Sequence, residues 1–135
     1  MKLLTKNADY AVRALLVMGM SGEGYISARD IAKAQKMPYQ YVRKILQSLI
    51  SKGFAVSREG GRGGFKLKVS PDNIRVADVI ELFQGEIKLS ECMFRNKICQ
   101  NRSTCVLRKN IERIEELVVK EFSDITIGKL LREMK

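Results

Sequence analysis

Residues 38–53, PYQYVRKILQSLISKG, carry an apolar face beside a polar and basic one. The apolar residues recur at the i, i+3, i+4, i+7 spacing that predicts an amphipathic helix. Pro38 suits the first position of that helix, since its missing N–H would have no intrahelical partner there, and Gly53 is a typical end signal. The face expected to be buried consists of Val42, Ile45, Leu46, Leu49 and Ile50.

The following residues, FAVSREGGRGGFKLKV at 54–69, predict a β-hairpin. Its last part, FKLKV, alternates apolar and basic residues, which is typical of a half-buried strand. The glycines at 60–64 predict the tip, because glycine lets a backbone turn sharply and approach a partner closely. Arg62 stands inside this tip and Arg58 flanks it, so the hairpin is expected to be a basic wing.

Two more helices are predicted before residue 38. The first covers about residues 5–20 and has Thr5 as its N-cap. The second begins after Ser27, with Asp30 three residues on, as in a capping box. Helix, short helix, turn, helix and hairpin is the order of a winged helix-turn-helix, so the expected fold is mainly α with a small β-hairpin wing. The apolar face of the first helix consists of Ala11, Ala14, Leu15 and Met18.

The positive charge is concentrated in the first half of the chain. Residues 1–70 carry 13 Lys and Arg against 4 Asp and Glu, whereas residues 71–135 carry 12 against 11. A basic half joined to a nearly neutral half indicates a polyanion-binding module with a second function beside it. In a winged helix the second helix of the pair enters the major groove of DNA, and a basic wing lies on the minor groove or the backbone. The candidate DNA-binding residues are Pro38, Tyr39, Gln40, Tyr41, Arg43, Lys44, Arg58 and Arg62.

The second half of the chain predicts three further helices. One runs from Val76 to Phe83 and is ended by Gly85, and a last short one begins near Thr126. Between them, apolar residues recur at intervals of four, three and four, which is a helical seam of the coiled-coil type. The seam consists of Leu107, Ile111, Ile114 and Val118.

Every cysteine of the chain lies between positions 92 and 105, in the spacing C-x6-C-x5-C. No apolar run reaches the roughly 18 residues of a membrane span, and the polar N-terminus is unlike a signal peptide. The expected location is therefore the cytoplasm, with no membrane partner, where thiols stay reduced and clustered cysteines indicate metal binding or redox activity. Neighbouring cations favour the thiolate form that ligates metal. The cysteines are Cys92, Cys99 and Cys105, and the cations are Arg95, Lys97, Arg102 and Arg108.

Other classes of protein fit the sequence less well. Zinc held by three thiolates and a carboxylate is an alternative, but the close C-x2–4-C pair typical of zinc sites is absent from the sequence. An enzyme is disfavoured, because the chain has no histidine and its glycine stretch lacks the Lys-Ser/Thr of a phosphate-binding loop. An RNA-binding or ribosome-associated basic protein is a third alternative, which would bind unrelated duplexes equally.

Several stretches together resemble one family over essentially the whole chain. They are TKNADYAVRA at 5–14, the helix at 38–46, GGRGGF at 60–65, VIELFQG at 79–85 and the three spaced cysteines. In this order they resemble the bacterial IscR/NsrR/CymR regulators, the Rrf-type family. The resemblance implies a homodimeric winged-helix transcription regulator that binds double-stranded DNA at a pseudo-palindromic operator and pairs through a long C-terminal helix.

The resemblance also implies a division of the chain into two regions. Residues 1–72 would be the winged helix-turn-helix DNA-binding region, and residues 73–135 would hold a cysteine-containing sensor loop and the dimerisation helices. In IscR-like members an arginine of the wing precedes the first wing glycine, where this chain has Glu59. That role would therefore pass to Arg58 or Arg62.

Many members of this family ligate an iron–sulfur cluster through three cysteines just before the long helix, and Cys92, Cys99 and Cys105 match them. The histidine that IscR-like members use as the fourth ligand is replaced here by Arg108. NsrR-like members use instead an aspartate from the partner subunit, and Asp9 stands at the matching position. An aspartate ligand favours a 4Fe–4S over a 2Fe–2S cluster.

Two alternatives stay open for the fourth ligand. Asp9 is also an acid in the first turn of a helix, four residues before Arg13, which suits an ion pair. Glu91 is a second carboxylate candidate.

An alternative also stays open for the function of the whole protein. It would then be a cluster-free winged-helix regulator that thiol oxidation or a partner protein controls, as in CymR-like members. The first cysteine gap has six residues where the best-known members have five.

Overall fold

The computed structural model describes residues 3–89 and 106–134. Within them the chain is mainly helical with one two-stranded antiparallel sheet, as the sequence predicts. Glu91 and the three cysteines, Cys92, Cys99 and Cys105, lie outside the described residues. The helices are α1 Lys6–Met20, α2 Ala28–Ala34, α3 Tyr39–Lys52, α4 Val76–Gln84, α5 Val106–Asp124 and α6 Ile127–Glu133, with a 3-10 turn at Pro71–Asn73, and the strands are β1 Ala55–Arg58 and β2 Gly64–Leu67.

The two predicted helix caps are confirmed. The Thr5 hydroxyl accepts a hydrogen bond from the Ala8 N–H at 3.4 Å, and the Ser27 hydroxyl accepts one from the Asp30 N–H at 3.0 Å. These bonds satisfy backbone donors that the first turn of a helix leaves without a partner. The starts of α1 and α2 are therefore fixed by local sequence.

Helix α3, the expected recognition helix of the helix-turn-helix, begins one residue later than predicted. Pro38 is the residue before the helix, with an extended ψ of 131°, and its carbonyl accepts a hydrogen bond from the Val42 N–H at 3.1 Å. Proline's fixed φ is compatible with both positions, so the sequence alone does not distinguish them. Gly53 ends α3 as predicted, with a left-handed φ of 92°.

The main core lies between α1 and α3. The four predicted core residues of α1 are fully buried, and so are those of α3 except for Ile50, which is only half-buried. Each large apolar side chain buried here contributes about 1.5–3 kcal/mol relative to exposure. The shared core includes Ala11, Ala14, Leu15, Met18, Val42, Ile45, Leu46, Leu49 and Ile127.

The wing is tied to the start of α2 by a third extended segment. β1 pairs with β2 from Ala55 opposite Leu67 to Arg58 opposite Gly64. On the other side of β2, Ile26 and Phe65 exchange two backbone hydrogen bonds, at 2.9 and 2.8 Å. These bonds fix the direction in which the hairpin leaves the helical core.

The C-terminal helix α6 returns to the first half of the chain. The Val76 N–H donates to the Ile125 carbonyl at 2.8 Å, and the Ile127 N–H donates to the Ile74 carbonyl at 2.9 Å. Ile127 is fully buried in the same core as α1 and α3. Arg132 adds an ion pair with Asp72 at 2.8 Å. This helix therefore packs against the winged-helix half of the chain, although it lies at the other end of the sequence.

The start of α4 is held without a side-chain cap. Arg75 occupies the cap position, where its guanidinium binds the carboxylate of Asp78 at 2.9 Å. This hydrogen bond raises the pKa of Arg75 above its ordinary value. The helix starts at Val76 as predicted, because the Ile125 carbonyl accepts a hydrogen bond from the Val76 N–H.

Helix α5 has two apolar sides. Val118, Val119 and Phe122 pack against a second small core that contains Ala8 and Ile87. Other apolar side chains of α5 face outward, with exposed fractions of 69% for Leu107, 42% for Ile114 and 50% for Leu117. The predicted seam is therefore wrong at Val118, which packs inward because α4 lies beside that turn, and Leu117 continues the exposed stripe instead.

No helix within the described ranges has both the length and the apolar character that crossing a membrane requires.

Replacing Gly64 with alanine should destabilise the wing. The new methyl group would lie 2.5 Å from the Ile26 carbonyl oxygen, and Gly64 has a φ of +145°. We expect the free energy of unfolding to fall by about 1–3 kcal/mol. Gly61→Ala is the matched control, because no described atom lies within 4 Å of its Cβ position. Urea denaturation measures both variants, and equal midpoints would contradict this account of the wing.

Candidate nucleic-acid interface

The polar face of the recognition helix is exposed as the sequence predicts. Gln40, Arg43 and Lys44 all face solvent, while the opposite side of α3 is buried in the main core. Tyr39 and Tyr41 are large side chains that also remain exposed. An exposed helix face of amide, aromatic and basic groups suits the phosphates and base edges of a major groove.

Tyr39 lies between two arginines. Its ring centre is 4.8 Å from the guanidinium carbon of Arg29 on α2 and 5.9 Å from that of Arg43 on α3. Sequence reasoning missed Arg29, because the residues around it indicate a helix cap and nothing in their spacing places them beside Tyr39. The contact brings α2 into the candidate interface.

Tyr41 is engaged with α1. Its ring meets that of Tyr10 edge to face at 6.1 Å, and the ammonium of Lys6 lies 5.2 Å from the Tyr41 ring and 5.6 Å from the Tyr10 ring. Such aromatic pairs and cation contacts stabilise the relative position of two helices. Tyr41 therefore helps to fix the recognition helix on α1, beside any contact it makes with DNA.

The two wing arginines have different surroundings. Arg58 donates from Nη2 to the carbonyl oxygen of Arg62 at 3.1 Å, and its guanidinium lies 4.3 Å from the ring centre of Tyr25. Lys66 approaches the same ring at 5.0 Å. The Arg62 side chain is exposed at the tip. Arg58 thus stabilises the tip that carries Arg62. Sequence reasoning missed the contact of the Tyr25 ring with Arg58 and Lys66.

Asp9 is a half-exposed carboxylate on the first turn of α1. Its side chain is 38% exposed, and both of its oxygens lie 3.2 Å from Nε of Arg13. The predicted ion pair is therefore present, and Asp9 does not face its own core. The three cysteines that it would join in a metal site lie outside the described residues.

The start of α1 lies against the end of α4. The Thr5 N–H donates to Oε1 of Gln84 at 2.8 Å, and Ala8 packs with Ile87 in the second core. Asp9 is therefore next to a residue that contacts the chain just before the cysteine segment. In residues 3–89 and 106–134, no three metal-ligating side chains come together.

Comparison with known proteins assigns the fold to a family. The sequence model of the Rrf2 family, described as "Iron-dependent Transcriptional regulator", matches residues 4–133. This chain belongs to the Rrf2 family. The protein rrf2 of Nitratidesulfovibrio vulgaris is similar to it, with 28% identity over 131 residues that cover 96% of this chain and 87% of that protein.

Two regulators with more specific names are also similar to this Rrf2 member. IscR of Aliivibrio salmonicida is 26% identical over 129 residues, which cover 95% of this chain and 76% of that protein. The structure of CymR, named as the global cysteine regulator of B. subtilis, superimposes with a TM-score of 0.83 at 22% identity and covers 98% of both chains. The mainly helical winged-helix fold is therefore confirmed, and the Rrf2 protein is a DNA-binding transcriptional regulator rather than an enzyme.

Removing the exposed arginines should weaken DNA binding by this Rrf2 protein. Arg43→Ala and Arg62→Ala each delete a cation that faces solvent on the recognition helix or the wing tip. If each contacts a phosphate, the slope of log K against log salt falls by about 1. Lys129→Ala, on α6, removes the same charge elsewhere and should leave the slope unchanged. Fluorescence anisotropy across a salt series measures this, and equal slopes in all three variants would rule out the interface.

Proposed function

We propose that this protein is a cytoplasmic, homodimeric transcription regulator that senses redox, nitric oxide or iron–sulfur status through a cluster bound by Cys92, Cys99 and Cys105. Residues 1–72 would bind a pseudo-palindromic operator, and residues 73–135 would hold the sensor loop and the dimerisation helices. The observation that carries the proposal is the placement of the cysteine segment between α4 and the long helix α5.

Both ends of the cysteine segment are attached to α5. The Leu89 N–H, just before the segment, donates to Oε1 of Glu115 at 2.8 Å, and Val106, just after it, begins the helix. Glu115 is nine residues beyond Val106, or about 14 Å along the helix. A change in the ligands of the segment would therefore act directly on the first half of α5 and on the end of α4.

The donor chemistry of the chain fits an iron–sulfur cluster. Three thiolates leave one ligand position, and Asp9 of the partner subunit, a half-exposed carboxylate that does not face its own core, would supply the fourth donor. The ion pair with Arg13 is no obstacle, because exposed pairs at i, i+4 contribute only about 0.3–0.5 kcal/mol. A bound cluster, with 4Fe–4S favoured over 2Fe–2S, supplies a centre that reacts with oxidants and nitric oxide.

The exposed stripe of α5 supports pairing with a second copy of the chain. Leu107, Ile114 and Leu117 form a row of large apolar side chains on a helix whose other side is already packed. The charge of α5 is also uneven, because residues 106–113 are net basic and residues 114–124 are net acidic. Two copies related by a two-fold axis and running antiparallel would bring each basic half beside an acidic half.

A two-fold dimer gives the sensor a means to control DNA binding. Its two winged-helix units would meet half-sites one helical turn apart, as the symmetry of a pseudo-palindrome requires. A shift of α5 or α4 would change the distance between the two recognition helices, and the operator would then be matched or mismatched. Because α6 packs on the main core, a movement at the α5–α6 junction would reach the DNA-binding unit without a flexible linker.

Protein purified without oxygen should carry iron and acid-labile sulfide and absorb visible light. Cys92→Ala should lose the cluster, and Asp9→Ala should change its spectrum. Arg13→Ala is the matched control for Asp9→Ala, since it breaks the same ion pair but keeps the carboxylate. Iron and sulfide analysis with visible spectroscopy measures the outcome.

A wild-type protein that stays colourless and iron-free after reconstitution would contradict the cluster proposal. The alternative, a cluster-free regulator controlled by thiol oxidation or a partner protein, would then replace it. If Asp9→Ala and Arg13→Ala have the same spectrum as the wild type, the fourth ligand is another residue.

Charge introduced into the apolar stripe should dissociate the dimer. Leu107→Glu combined with Ile114→Glu places two carboxylates where each copy would meet the other, so a monomer is expected because buried unpaired charge is costly. Lys129→Glu is the control, because it changes the total charge by the same amount at an exposed position of α6, outside the apolar stripe and the charged halves of α5. Sedimentation velocity measures the mass, and a dimer that survives in the double variant would exclude this face.

A further inference from the structure

Cations on this chain are held in two different ways. Some pair with carboxylates, as Arg13 of α1 does with Asp9 and Arg132 of α6 does with Asp72. On α2, α3 and the wing they lie over tyrosine rings instead. A carboxylate neutralises the charge that it holds, whereas a ring has no net charge and leaves the positive charge intact. Held by rings, a cation is ordered and still free to attract an anion.

Two rings gather four such cations from four different elements. No ion pair in the described part of the chain engages any of the four. The four are Arg58 of β1 and Lys66 of β2, on Tyr25, and Arg29 of α2 and Arg43 of α3, on Tyr39.

The strand register explains why Tyr25 reaches both wing cations. Arg58 lies opposite Gly64, and Lys66 lies opposite Val56, so Arg58 and Lys66 share one face of the hairpin. Gly64 has no side chain to occupy that face beside Arg58. Tyr25 comes directly before the residue that pairs with β2 on its other edge, and its ring lies over this part of the sheet.

Residues 25–29 connect the cations around the Tyr25 ring to the cations around the Tyr39 ring. This segment starts at Tyr25, pairs with the wing through the backbone of Ile26, and ends at Arg29 against the ring of Tyr39. Four residue steps extend over at most about 14 Å, and because the last two residues of the segment already belong to α2, its two ends are closer than this limit. Along one DNA strand the limit spans about four phosphates, at about 3.4 Å of helix axis for each. The segment therefore links the recognition helix and the wing on the scale of a DNA backbone.

We propose that Arg29 and Lys66 contact DNA phosphates between the major-groove helix and the wing. In this proposal Tyr25 is the positioning residue that holds Arg58 and Lys66 in place. We call Arg29, Arg43, Arg58 and Lys66 the cationic strip. The proposal rests on the proposed orientation of α3 and the wing toward DNA. Its ligand is the sugar–phosphate backbone, so the strip adds affinity and register without base preference.

The test is DNA affinity over a salt series, with a mixed-sequence duplex of about 30 base pairs, long enough for two half-sites one turn apart. Arg29→Ala and Lys66→Ala should each lower the slope of log K against log salt by about 1. Tyr25→Leu should weaken binding, and Tyr25→Phe should restore it, because the ring and not the hydroxyl holds the cations. Lys129→Ala is the control for total charge.

A combined variant tests whether Tyr25 acts through the cations. In an Arg58→Ala, Lys66→Ala background, Tyr25→Leu should cause no further loss of affinity, since nothing remains for the ring to hold. A further loss would overturn the positioning role. Melting temperatures show whether Tyr25→Leu remains folded, and the surface substitutions at Arg29 and Lys66 test the proposal independently of it.

The outcomes separate this proposal from the interface on which it rests. If Arg62→Ala lowers the salt slope while Arg29→Ala and Lys66→Ala do not, the strip is excluded and the interface stands. If none of these variants changes the slope, both the strip and the interface are wrong.

Discussion

The close packing of α1 is the constraint on which the other elements depend. Its buried side carries Ala8, Ala11 and Ala14, all without exposed surface, so helices on several sides approach its backbone closely. Ala11 and Ala14 belong to the main core, whereas Ala8 belongs to the second core with Ile87. One helix thus joins the winged-helix unit to the elements that flank the cysteine segment. A larger side chain at Ala11 or Ala14 would disturb the main core, and one at Ala8 would disturb the second core.

The sequence predicts most of the fold because its signals are local. Apolar periodicity, the hydroxyl caps of Thr5 and Ser27, and the glycine after α3 act within a few residues, and each is confirmed. The predictions are wrong where residues far apart in the sequence determine which side of a helix is buried. Val118 has the spacing of an exposed seam, but it turns inward because α4 lies beside it. The family assignment came from motifs distributed over the whole chain, which together are more specific than any one of them.

Local sequence signals also predict part of the candidate site. Exposed basic residues on α3 and at the wing tip follow from amphipathic spacing and from the glycine-rich turn. The sequence does not predict Arg29 and Tyr25 as site residues, because their partners, Tyr39 and the wing strands, are close to them only after folding. The return of α6 to the main core is equally invisible in the sequence, since Ile127 meets Ile74 across more than fifty residues.

The wing combines a constrained base with an open tip. At the base, an added Cβ at Gly63 would collide with the Arg58 carbonyl, and Ile26 holds the adjacent backbone. At the tip, Gly61 has no described neighbour within 4 Å of a Cβ position, whereas Gly60, although equally open, has a φ of +109° that favours glycine. Substitutions at Gly61 and insertions beside it can therefore occur without disturbing the helical core. A change at the tip would alter the surface that the hairpin presents, while the backbone bonds of Ile26 keep its direction.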